Sequence, residues 1–171
     1  MTLSMYDASV PAFLHTLGNL KALLQKAVAH AEAKKFDPNV LVGVRLAPDM
    51  LPLARQVQIS SDSAKGAAAR LTVTESPKFE DNETTMEQLI ARVDKTIAYL
   101  RTVDAAKFEG SETRPITLVF PKQTVNFANG HLFLRHFAVP NFYFHVSMTY
   151  ALLRHNGVAI GKNDYLGQVP A

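Results

Sequence analysis

Six histidines are the groups of this 171-residue chain suited to acid–base work near neutral pH, and no cysteine is present to act as nucleophile, thiolate ligand or disulfide partner. Any metal would have to rest on His, Asp, Glu or amide oxygen. His145 stands apart because it lies in the apolar and aromatic run Phe142-Tyr143-Phe144-His145-Val146-Ser147-Met148, where burial is expected. Asn141 precedes it by four residues, about 40° away around a helix, so the two side chains leave successive turns of one face. A helix that offers two groups to one ligand uses this spacing, although an amide is a weak donor to zinc or nickel and suits harder ions better. His131 and His136 are five apart, about 140° around a regular helix, and do not share one small ion. His15, His30 and His155 fall at a stripe border or near helix ends, where a cap or a half-solvated ring accounts for them.

A second polar group, Gln56, Gln58, Ser60, Ser61 and Asp62, interrupts an otherwise core-like helical segment. Polar groups turned toward a bundle interior need partners. Three readings of the Asn141/His145 face opposite this patch are open. The groups satisfy one another by hydrogen bonds in a packed core; or, with Tyr143 beside them, they line a pocket for a small molecule; or His145, with Asp62, Asn141 or a glutamine, holds a divalent metal for hydrolysis or group transfer. The pocket is the preferred reading, with an unidentified small molecule as partner and no catalytic metal or other cofactor. No phosphate loop, HExxH pair, nucleophile elbow or dinucleotide glycine pattern occurs.

Helices must position these residues. Val10, Phe13, Leu14, Leu17, Leu24 and Val28 recur at three- and four-residue steps and predict a helix from about Ser9 to Ala33. Asp37-Pro38 breaks it, and Pro38 to Val44 is expected to make a short helical turn. Pro48 to Leu71 reads as a second helix, whose small residues around Gly66 let a neighbour approach closely. Thr74 to Thr85 reads as a loop. In the third helix Met86, Leu89, Ile90, Val93, Ile97 and Leu100 form the stripe, Glu87, Arg92, Asp94 and Lys95 point elsewhere, and Thr84 or Thr85 supplies the N-cap.

The runs 116–120 and 124–127 are β-rich and predict a small hairpin that ends at Asn129-Gly130. The last helical stretch is expected to be short up to Phe137, broken or kinked by Pro140, and long from Pro140 to Asn156, with Gly157 as C-cap and an irregular tail. Together these elements predict an all-α fold: one domain over residues 1–171, a four-helix bundle with the hairpin inserted before the last helix.

The run Pro140-Asn141-Phe142-Tyr143-Phe144-His145 and the segment Tyr150 to Val158 resemble the last helix of the DinB-like (DinB/YfiT) four-helix-bundle superfamily. Together with Asp49-Met50-Leu51-Pro52-Leu53 and Gln56-Val57-Gln58, they resemble an uncharacterised branch of it, known as a domain of unknown function. The resemblance implies a metal site in some relatives, built from one histidine on the second helix and a His-x-x-x-His pair on the last, and in some a thiol-dependent transferase or isomerase activity. His145 matches the second histidine of the pair. Asn141 stands where the first would be, and Gln56 or Gln58 stands near the place of the histidine on the second helix.

Eighteen basic and fifteen acidic residues give a scattered net charge of +3, which argues against a nucleic-acid stripe. Residues 1–10 lack the pattern of a secretory signal, and 136–153 holds two histidines, Asn141 and Pro140, so no membrane span is expected and the protein is read as cytoplasmic. A non-enzymatic homodimer formed by an exposed helix face is the alternative from another class.

Overall fold

The computed structural model describes residues 3–168. Its elements are α1 (Val10–Lys34), α2 (Leu53–Thr72), α3 (Met86–Arg101), β1 (Ile116–Phe120), β2 (Gln123–Phe127), α4 (Gly130–Phe133), α5 (Val139–His155) and α6 (Lys162–Leu166), with 3₁₀ turns at Pro38–Gly43 and Ala105–Phe108. The fold is all-α with one hairpin. Around the bundle the order is α1, α3, α2, α5 and back to α1, so α1 and α2 are diagonal partners and α2 lies between α3 and α5. That position lets α2 address two neighbours with two different faces.

Local chemistry accounts for the boundaries. α3 opens on a capping box: the Thr85 hydroxyl accepts from the Gln88 amide at 3.2 Å, and the Gln88 side chain accepts from the Thr85 amide at 3.1 Å. α2 begins at Leu53, later than expected from Pro48, because Pro52 is itself extended (ψ 168°) and Pro48 opens a turn closed by the Met50 amide on Ala47. α1 and α2 end on left-handed residues, Lys35 (φ 61°) and Val73 (φ 54°), and the amides that follow close back on Ala31 and Ala69. α5 ends more cheaply, with Gly157 at φ 87° and the Val158 amide donating to Leu153.

The expected break at Pro140 does not occur. The backbone stays helical from Gly130 through His155, and a π-helical turn at Leu134–Ala138 joins α4 to α5. A helix interior rejects proline because its ring strikes the carbonyl four residues back and its nitrogen lacks a proton to donate. A wider turn immediately before Pro140 eases both problems, and π-bulges of this kind recur at functional sites. The tail also differs from expectation, since α6 forms and docks on α1: Asn19 donates to the carbonyls of Tyr165 at 3.1 Å and Leu166 at 2.9 Å.

The hairpin pairs Ile116 with Phe127 and Phe120 with Gln123. Ile116 and Leu118 are buried in the common core with Phe133, Leu134 and Phe142. Phe127 packs on Phe133 and Phe137, and Phe120 tilts over Phe137, so the hairpin lies across the π-turn. Asn129 caps α4 by accepting from the Leu132 amide at 2.9 Å, which makes Asn129-Gly130 a helix start. No helix among the described residues is long and apolar enough to cross a membrane.

Candidate functional site

The polar residues of α2 divide between two faces. Gln56 and Ser63 are seven apart, about 20° around the helix, and both meet α5. Gln58, Asp62 and Lys65 turn toward α3 and the 74–85 connection.

On the α5 side, His145 is buried at 8% exposure and its Nδ1 lies 2.7 Å from Gln56 Oε1. Gln56 Nε2 donates to the Leu51 carbonyl at 3.1 Å, which fixes the amide so that its oxygen accepts from the ring. Nδ1 therefore carries the proton and Nε2 carries the lone pair. Burial, and after it the positive charge of Arg55, pushes the His145 pKa down to about 4, so the ring is neutral at physiological pH. One turn earlier, Asn141 Nδ2 donates to Ser63 Oγ at 2.7 Å. Asn141 and His145 thus share a face, as their spacing requires, but each bonds to a different turn of α2.

A cleft of about 190 Å³ opens beside the Asn141–Ser63 pair. Ser63, Ala67, Asp62 and Arg70 of α2 form one wall, Asn141 and Phe137 a second, and Leu118 and Phe120 of β1 the roof. Of the residues singled out from sequence, Asn141 and Asp62 line this cleft. His145, Gln56, Gln58 and Tyr143 do not. Tyr143 is half-buried and packs edge-on against Phe142.

On the α3 side a buried guanidinium organises the acids. Arg92, expected to point away from the core, is 2% exposed and donates from Nη2 to Asp62 at 2.9 Å and from Nη1 to Glu83 at 2.8 Å and the Glu80 carbonyl at 3.0 Å. Asp81 Oδ1 is also 2.9 Å from Nη2. Its position had a signal: Arg92 sits three residues after Leu89 and four before Thr96, both fully buried, so it lies within the stripe. Gln58 extends the network, donating to Glu83 at 2.8 Å and accepting from Arg55 at 2.7 Å. Phe79 covers it, 5.0 Å from Lys65 Nζ and 5.5 Å from the Arg92 guanidinium carbon. Gln58 and Asp62 here tie the 74–85 connection to the bundle.

The domain of unknown function DUF1993 matches residues 5–166. The chain belongs to this family. It is also similar to the crystal structure of a DinB family member protein from Shewanella denitrificans, with 42% identity and a TM-score of 0.88 over 98% of this chain and 94% of that one. No curated protein matches. The DUF1993 chain is thus a DinB-like helical domain, as its last helix suggested.

The metal site that the DinB resemblance implies can be tested on the donors present. His145 is one imidazole, its neighbour across the bundle is the neutral amide of Gln56, and Asn141 is already engaged with Ser63. Among the described residues no group of three or more His, Cys, Asp or Glu is placed to hold a metal ion. A closed zinc-type site needs more anionic or imidazole donors than this set supplies, so the residues do not fit the group.

Proposed function

We propose that this DUF1993 protein is a cytoplasmic protein that binds a small molecule in the cleft beside Asn141 and Ser63, a degenerate DinB-type pocket that works without a catalytic metal. The observation that carries the reading is the construction of the cleft: apolar and aromatic walls with a few convergent polar groups. Its volume lies below the ~300–1,000 Å³ of drug-sized sites, which points to a ligand about one ring in size. His145 and Gln56 stand one turn away and hold the α2–α5 spacing on which the cleft depends.

The experiment is a fragment screen by two-dimensional NMR on the ¹⁵N-labelled protein. The expected result is saturable shifts of the Asn141 side-chain amide and of the Ser63 and Phe137 backbone amides, abolished by Ala67→Leu, which fills the cleft wall. A screen in which no fragment shifts these signals saturably overturns the proposal.

A further inference from the structure

α2 carries three cations, Arg55, Lys65 and Arg70. Arg55 pairs with Asp81 at 2.5 Å and Lys65 with Asp62 at 3.1 Å. Arg70 has no acidic partner and no hydrogen-bond acceptor among the described residues, yet it lies on the cleft wall. We infer that Arg70 is the anchor of the cleft's ligand and that the ligand is a small aromatic or cyclic monocarboxylate. The inference rests on the cleft being a binding site as proposed above.

Three further features agree. Gly66 sits one turn before Arg70, and a Cβ there would collide with Arg70 Nη1, so the guanidinium lies back along the helix in space that only glycine leaves open. Asp62 follows one turn further along this row, and Asp62, Ser63 and Arg70 all line the cleft. Arg70 keeps an exposed edge, and the burial of the remainder lowers its pKa from its ordinary value while the group stays charged.

The remaining walls define the rest of the ligand. A guanidinium meets a carboxylate through two parallel N–H donors, and the second Nδ2 proton of Asn141 adds a neutral donor beside it, while Ser63 gives its own proton to the Ile59 carbonyl. Phe120, Phe137 and Leu118 receive a flat apolar body. One unpaired cation suits a single negative charge. Asp62 on the same wall, already held by Arg92 and Lys65, opposes a dianion.

Benzoate, benzamide and phenyl phosphate serve as matched probes, titrated into the wild-type protein and into Arg70→Gln and Arg70→Lys, with the Asn141 amide as reporter. The expected result is that benzoate binds best, that Arg70→Gln weakens it on the order of tenfold or more, and that lysine restores part of the loss. Unchanged melting temperatures of the two variants establish that they fold. Equal binding of benzoate and benzamide, or benzoate binding unchanged in Arg70→Gln, overturns the inference and leaves the cleft reading standing. Tighter binding of phenyl phosphate overturns the assignment to a monocarboxylate. If no probe and no fragment of the wider screen reaches the cleft, both readings fall.

Discussion

His145 Nδ1 donates to Gln56 Oε1 across the α2–α5 interface at 2.7 Å, and this contact sets the tautomer of a ring that burial and Arg55 keep neutral. Replacing the neutral acceptor by a carboxylate would reverse the electrostatics. In Gln56→Glu the His145 pKa should rise from about 4 by about 1–3 units, because an opposite charge in contact favours the imidazolium. Titration of the ring proton signals by NMR measures it, and an unshifted value would show that a charge at position 56 does not act on the ring.

The same ring makes stability depend on pH. His145 has its ordinary pKa of 6.5 when unfolded and about 4 when folded, so between these values the unfolded chain binds more protons. Stability should therefore be full above pH 6.5, fall as the pH drops toward 4, and lose on the order of 3 kcal/mol through this group. Urea unfolding at several pH values gives the slope. His145→Gln should flatten it in this window while leaving the steeper loss at lower pH, where carboxylates such as Asp81, held below its ordinary pKa beside Arg55 and Arg92, become protonated.

How far the sequence reached follows from what periodicity encodes. The 3.6-residue stripes specify which helices exist, and the Thr85/Gln88 capping box and the Asn141/His145 spacing are local facts that survive folding unchanged. Pairing between helices is not local. The sequence grouped Gln56, Gln58 and Asp62 as one patch, whereas a helix flanked by two neighbours separates them by about half a turn. Charge alone points Arg92 outward, whereas the acids of the distant 80–83 segment offset that charge and let it turn in. Pro140 is an ordinary helix breaker by composition, and the π-turn that tolerates it depends on residues before it adopting a wider turn.

Arg92 should be a strong determinant of stability. Its charge is compensated by Asp62, Asp81 and Glu83, and its side chain is nearly inaccessible at 1% exposure. Removing one member of a buried ionic cluster leaves the others uncompensated, at about 3–5 kcal/mol. Asp62 and Asp81 remain partly in water, at 39% and 36% exposure, so Arg92→Met is expected at the lower end of that range. Chemical denaturation reads the loss; a change under 1 kcal/mol would mean the methionine packs against Phe79 well enough to offset it.

Val73 offers the opposite sign. It closes α2 at φ 54°, a left-handed conformation that penalises a β-branched residue, and its side chain is 70% exposed, so little burial is lost on truncation. Val73→Gly should stabilise the protein by about 1 kcal/mol, since glycine adopts this conformation without the Cβ clash. An unchanged or lower melting temperature would contradict it.

Gly66→Ala should separate stability from binding. Within α2, alanine exceeds glycine in helix propensity by about 1 kcal/mol, and the only close contact of the new Cβ is the far end of the flexible Arg70 side chain, which can swing away. Thermal stability should rise by an amount up to that figure. The guanidinium, pushed off its place over the Gly66 turn, would then lose the position from which it lines the cleft, so benzoate binding should weaken while benzamide binding stays the same. A gain in melting temperature with unaltered benzoate affinity would mean that Arg70 reaches its ligand from another direction; a fall in melting temperature would mean that the guanidinium contact with the Gly66 turn holds α2 together more than helix propensity does.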